Sequence, residues 1–269
     1  MKLILGFSIP LLFGNLFQQF YSMVDTMIVG RVLGTGPLAA VGSTGSITFL
    51  IIGFCLGLCS GFAIPVAQRF GSRDYKELRR FIGNAVWLCV GFGFVLTVLT
   101  VIFCRNILEL MGTPADIIDD AYAYLVVIFA GIPATFLYNM LAGIQRAIGD
   151  SRMPLYVLIV CCLANVVLDL LFVVVFHWGV FGVAFATILS QLISAVLLMI
   201  RLMGTQEAYR VELRKIRFHK DMLALIIRYG LPSGLQNSII AIANVVVQSN
   251  INGFGEMAMA GCGAYSKIE

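Results

Sequence analysis

Residues 82–104 read IGNAVWLCVGFGFVLTVLTVIFC, 23 positions without one charged side chain. As an α-helix this run covers about 35 Å at 1.5 Å per residue, enough to cross ~30 Å of hydrocarbon. It lacks the apolar–polar alternation of a membrane barrel strand. Working outward from it, further apolar runs lie at about 3–29, 38–68, 118–147, 153–176, 181–203 and 222–252, which predicts seven spans. An eighth is expected to begin near Met257 and to be cut off at Glu269. The 269 residues are 60% hydrophobic and 12% charged, with a mean hydropathy of +0.96. A soluble domain carries roughly twice that charged fraction. The reading is an all-α, polytopic membrane protein. The first run carries Asn15, Gln18, Gln19 and Asp25 and no small-residue cleavage site, so it does not read as a removed signal peptide.

Charge sorting predicts orientation. Fifteen of the 18 Lys and Arg fall on one side: Lys2, five at 69–80, Arg146, Arg152, and seven at 201–228. The opposite loops hold Arg31 and Arg105. The positive-inside rule puts the N-terminus and the 204–221 loop in the cytoplasm, the chain being multi-pass in a cell membrane. The net charge of +4 reflects this bias toward anionic lipid and gives no reason to expect nucleic acid as a partner. The seven cysteines fall in or at the ends of spans without a CxxC pair, and read as packing residues. His177 and His219 are too far apart in the chain to suggest a metal site.

An internal repeat divides the chain. Pro10 is followed five residues later by Asn15, and Pro232 by Asn237, at an offset of 222. Leu33-Gly34, Leu38-Ala39 and Val41-Gly42 then match Phe254-Gly255, Met259-Ala260 and Cys262-Gly263 at an offset of 221. Six spans separate the copies, so both enter from the same side, as in parallel-repeat transporters. The expected organisation is a six-helix N-terminal lobe (1–203), a basic cytoplasmic linker (204–221) that could hold a surface helix, and the incomplete start of a C-terminal lobe (222–269). The rest of that lobe is expected to be needed for function.

Of the 14 acidic residues, Asp25 and Asp169 lie within spans, and no Lys or Arg sits mid-membrane. Carboxylates in that setting face water, take a proton or hold a cation. Counting along each span puts Asp25 about 6 Å, Asp169 about 10 Å, and Thr187 and Tyr124 about 9 Å below one membrane face. Asn165 precedes Asp169 by four residues and shares its face. On the first span Asn15, Gln18, Ser22 and Asp25 form one polar stripe, with Tyr21 at its flank. Oxygen ligands of this kind suit Na⁺, and paired carboxylates suit H⁺; no other cofactor is expected. Pro10, Pro65 and Pro133 inside spans permit kinks. Gly53, Gly57 and Gly61, at four-residue steps, offer close helix packing. No basic residue is expected to line the interior of this lobe.

The stretches IPLLFGNLFQQFYSMVDTMIVGRVLG (9–34), VAQRFGSRDY (66–75), LAGIQRAIGDSRMP (141–154) and ANVVLD (164–169), in this order, resemble the multidrug and toxic compound extrusion (MATE) family over essentially the whole chain. The resemblance implies one lobe of a twelve-helix, two-lobe antiporter that exchanges Na⁺ or H⁺ for organic, often cationic, drugs. It implies a cation-coupling site at Asp25, Asn165, Asp169 and Thr187, a drug cavity at Gln18, Tyr21, Tyr124 and Asn139, and a bending role for Pro10. Small organic molecules and the lipid bilayer are then the partners. The competing readings are a lipid-linked-precursor flippase of related fold, a prenyltransferase-type intramembrane enzyme built on Asp116, Asp119 and Asp120, and a scaffolding membrane protein. The flippase would want basic residues in its cavity. The enzyme would need a second acidic motif, and acids at a helix N-terminus already explain that run. A scaffold would not need two buried acids.

Overall fold

A computed structural model describes residues 2–110, 113, 117–205 and 219–252. Among the described residues, nine α-helices follow in order: α1 (Lys2–Ile28), α2 (Thr35–Ser43), α3 (Gly45–Gly71), α4 (Tyr75–Leu110), α5 (Ile118–Ala130), α6 (Ile132–Ala147), α7 (Arg152–Asp169), α8 (Gly179–Gly204) and α9 (Lys220–Asn252). Two of them run on as π-helical turns, α1 into Val29–Leu33 and α7 into Leu170–Val175. Among the described residues there is no strand, and the all-α class stands. The candidate surface helix of the linker, the second half of the repeat, the eighth span and Asp116 lie outside the described residues.

The predicted spans map onto these helices with instructive differences. Four spans, formed by α2 with α3, by α4, by α7 with its π turn and by α8, are long and apolar enough to cross a membrane; the bent pair α5–α6 makes a fifth. α1 and α9 also have the length to cross, 27 and 33 residues. The fourth expected span is broken, with a bend of 47° between α5 and α6. Gly131 sits at the break, where an added Cβ would fall 2.1 Å from Ile188 Cδ1 of α8. Pro133 therefore starts a new helix, where its missing N–H costs nothing, rather than kinking a continuous one.

The largest buried side chains, among them Phe62, Phe81, Phe129 and Phe136, come from α3, α4, α5 and α6. The outer face of α4 shows Trp87, Val90, Phe94, Val98 and Ile102 at three- and four-residue steps, all exposed. An apolar stripe of that kind on a membrane helix faces lipid rather than water. Two helices flank this bundle: α1 lies along α7, and α9 lies along α3. The α3–α9 crossing is a backbone contact. A Cβ on Gly57 would fall 2.5 Å from the Ser233 carbonyl oxygen, and one on Gly61 2.5 Å from the Gly230 Cα. Gly53 has nothing within 4 Å, so two of the three stepped glycines make the contact expected of them. At the start of α9 the His219 N–H donates to Asn84 Oδ1 of α4 at 2.9 Å, while Asn84 Nδ2 donates to the Arg80 carbonyl oxygen at 2.8 Å.

Candidate functional site

The continuation of α1 through Val29–Leu33 changes the depth arithmetic. Asp25 lies eight residues below Leu33 rather than four below Val29, which makes it about 12 Å deep at helical rise. Thr187, eight residues into α8 from Gly179, gains similarly. Asp25 thereby moves toward the level of Asp169 and Tyr124, Thr187 comes to the same depth as Asp25, and the structure brings all four together.

Asp169 and Asn165 are buried, 0% and 1% exposed, and Asp25 is half-buried. The two carboxylates act on each other electrostatically, and both act on Tyr124 from α5. Tyr21, one turn before Asp25, donates its hydroxyl to Thr187 Oγ1 of α8 at 3.2 Å. The Thr187 hydroxyl donates in turn to the Val183 carbonyl oxygen at 3.0 Å. Four helices thus deliver Tyr21, Asp25, Tyr124, Asn165, Asp169 and Thr187 to one place.

Outside the facing carboxylate pair itself, five polar atoms there have no hydrogen-bond partner: Asp25 Oδ1, Asn165 Oδ1 and Nδ2, and Asp169 Oδ1 and Oδ2. Buried polar groups are nearly always paired, and each orphan costs about 1–3 kcal/mol. None of the described salt bridges reaches either carboxylate; they join Arg69 to Glu77, and Arg105 to Glu109 and Asp119. Four orphaned oxygens on three side chains fit a hard cation or a shared proton. Among the described residues no group of three or more His, Cys, Asp or Glu forms a transition-metal site.

Above this cluster sits a feature the sequence reading missed. Val29, Val173 and Val183 are buried against one another, with Leu33, Leu38 and Val41 packed around them. Each valine stands four residues, one turn, from a site residue: Val29 from Asp25, Val173 from Asp169, Val183 from Thr187. All three displacements point to the same end of the bundle. Both π turns begin here, and π-helical turns recur at functional sites.

The expected drug-cavity residues divide. Tyr21 and Tyr124 belong to the carboxylate cluster. Gln18 and Asn139 instead line a separate cavity between α1, α6 and the start of α7, together with Pro10, Asn15, Tyr138 and Arg146. Arg146 corrects the expectation of a lobe without basic lining. It was counted with the cytoplasmic loops, yet it stands seven residues after Asn139, two turns along one face of α6; that spacing was the available signal.

Comparison with known proteins agrees with this arrangement. The MatE family model matches residues 10–171. The chain is 32% identical over 97% of its length to the probable multidrug resistance protein YoeA of Bacillus subtilis (strain 168), covering 58% of that protein. It superposes on a crystal structure of MATE in the bent conformation with a TM-score of 0.87, at 28% identity, over 96% of this chain and 58% of that one. For MATE in the straight conformation the TM-score is 0.89, at 27% identity, over 99% of this chain and 60% of that one. The chain spans just under three-fifths of the length of these relatives. The MatE family is one of transporters rather than enzymes, which removes the prenyltransferase reading. With the family's model matched over more than half of its residues and its fold reproduced around the carboxylate cluster, this chain belongs to the MatE family.

Proposed function

We propose that the protein is a cation-coupled antiporter that exports organic, cationic amphipathic compounds across the cell membrane, with the N-terminus cytoplasmic. Residues 1–203 form its N-terminal lobe, 204–221 the linker, and 222–269 the start of a second lobe. The observation that carries this reading is the group of five unpartnered polar atoms on Asp25, Asn165 and Asp169, held by α1 and α7. Na⁺ or H⁺ enters this cluster, with Thr187 as a further oxygen ligand, and neutralises the carboxylates. The negative field that holds a cationic drug beside Gln18, Tyr21, Tyr124 and Asn139 then falls, and the drug leaves. A ligand shifts a conformational equilibrium only through differential affinity for the two states. α1 can respond because it packs mainly along α7 and contains Pro10. Related MATE structures occur in a bent and a straight conformation, so a change of shape is within the family's repertoire.

Drug efflux from cells expressing the native gene, with Na⁺ and pH varied independently, tests the reading. Asp25→Asn and Asp169→Asn are expected to abolish coupled efflux at normal expression, with partial activity in the Glu variants. Unchanged ion dependence in both Asn variants would refute the site. Arg146 is the observation that favours the alternative, a flippase of a lipid-linked precursor. Export of a drug against its gradient, with precursor translocation unaffected by loss of the gene, separates the two.

A further inference from the structure

Between α4 and α9 a groove opens that the transport reading does not use. Trp87, Leu88, Gly91, Phe92 and Val95 of α4 and Leu223 of α9 line it, and its volume, open mouth included, is about 660 Å³. No charged side chain is among them. Gly91 is its floor, exposed and with nothing within 4 Å of an added Cβ. Trp87 and Val95 are exposed on the side of α4 that faces lipid. From one to the other the groove runs eight residues, about 12 Å at helical rise. One leaflet supplies half of a hydrocarbon core ~30 Å thick, so the groove is as deep as most of one acyl layer.

One end of this groove carries charge. About one turn before Trp87, Asn84 ties the two helices together: it accepts the His219 N–H at 2.9 Å, and its Nδ2 donates to Met222 Sδ at 4.0 Å. One turn further back, Arg80 stands on the same face of α4 as Asn84, Gly91 and Val95. On α9, Lys220 follows His219 directly. Arg80 and Lys220 are both exposed, and no salt bridge joins either to a carboxylate among the described residues. Of the neighbouring acids, Glu77 is paired with Arg69 at 3.1 Å. Asp221 lies in the first turn of α9, where a helix N-terminus favours an acid. Basic residues at the ends of membrane helices attract anionic lipid in general. Arg79 is of that kind: it points about 100° round α4 from Arg80, and its Nε donates to the Tyr75 carbonyl oxygen at 3.2 Å. Arg80 and Lys220 differ in standing within two turns of an apolar slot.

We propose that the α4–α9 groove seats one anionic phospholipid, its phosphate held by Arg80 and Lys220 and one acyl chain laid over Gly91 between Trp87 and Leu223. Guanidinium and ammonium groups both bind phosphate oxygens, and their long stems reach from a helix to the headgroup level. Basic pockets between membrane helices recognise phospholipid headgroups in this way. The seated lipid touches α4 and α9 together and splints the contact that Asn84 makes. The proposed orientation enters only in assigning this lipid to the cytoplasmic leaflet.

Trp87 reports on the seat directly. Its fluorescence in the purified native protein is followed in phosphatidylcholine nanodiscs as phosphatidylglycerol with brominated acyl chains replaces part of the lipid; Trp87→Phe identifies the signal of this residue. Quenching is expected to saturate at low phosphatidylglycerol content, with a preference over brominated phosphatidylcholine of about 25-fold, a factor of about five for each basic residue. Arg80→Gln and Lys220→Gln are each expected to lower that preference about fivefold, and Arg80→Lys and Arg79→Gln to keep it. Quenching by brominated phosphatidylcholine, unchanged in these variants, is the control that Trp87 still meets lipid. Gly91→Leu, which raises a side chain from the floor, is expected to remove the saturable part. Quenching that rises in simple proportion to phosphatidylglycerol, an equal loss in Arg79→Gln, or a saturable part that survives Gly91→Leu would overturn the proposal. Glycerol 3-phosphate in solution is expected to change nothing; displacement by it would mark a site for a soluble phosphate and equally overturn the lipid. Nothing is transported in this assay, so its failure leaves the efflux reading standing, and loss of ion-coupled efflux leaves the seat.

Discussion

The contact between α3 and α9 makes a sharp test because it holds its own control. In Gly61→Ala the new Cβ would stand 2.5 Å from Gly230 Cα, 2.6 Å from the Tyr229 carbonyl oxygen and 2.9 Å from Gly230 N. All three are backbone atoms, so no rotamer change relieves the clash. Reaching ordinary contact requires the two helices to part by roughly 1 Å over that turn. Overpacking of this kind costs about 1–3 kcal/mol. Gly53→Ala, two four-residue steps earlier on the same helix, meets nothing within 4 Å. Both substitutions share the helix-propensity gain of up to about 1 kcal/mol, which cancels in the comparison. Unfolding of the purified protein in detergent is expected to show Gly61→Ala less stable than Gly53→Ala by about 1–3 kcal/mol. Two variants of equal stability would mean that α9 does not lie against α3 at backbone distance.

Three further outcomes follow from contacts already described. Asn84→Ala removes the acceptor for the His219 N–H, and is expected to destabilise by about 1–3 kcal/mol in the same unfolding assay, with Asn84→Asp milder because it keeps the acceptor. Tyr21→Phe deletes the donor to Thr187; about 1 kcal/mol of lost hydrogen bonding should change the ion concentration for half-maximal efflux about fivefold at unchanged expression, and an unaltered ion dependence would count against Thr187 as a ligand. In a cysteine-free background, a membrane-impermeant maleimide added to intact cells is expected to label Glu109→Cys and spare Arg73→Cys; the opposite pattern reverses the orientation.

The fold class and the grouping of the polar residues were legible in the sequence for different reasons than the details that were not. A carboxylate in an apolar run is conspicuous wherever the helix ends, so Asp25 and Asp169 stood out, and the i,i+4 step from Asn165 needs no partner to be read. The end of α1 was misplaced because VGRVL looks like any helix terminus, whereas the span holding α7 was bounded correctly through LLFVVV; in neither does composition mark an i→i+5 turn. The break at Gly131 depends on how closely Ile188 approaches, which is a property of the other helix. Gly53 differs from Gly57 and Gly61 only in what lies opposite. Arg146 was hidden by the charge-bias count, which assigns a basic residue to a side of the membrane without asking which way a long side chain turns.

The three valines one turn from the carboxylates bear on the cell's economy as well as on the site. On the proposed antiport, an ion that crossed without a drug would discharge the gradient that drives export. Passing from Asp25 or Asp169 toward that end of the bundle, a bare cation meets methyl groups in place of water, and stripping its hydration there costs several kcal/mol or more. Leakage by that route is then limited by how often the seam formed by Val29, Val173 and Val183 parts, not by the supply of ions. Replacing these side chains with smaller or polar ones would be felt first as wasted gradient, at a carboxylate site otherwise intact.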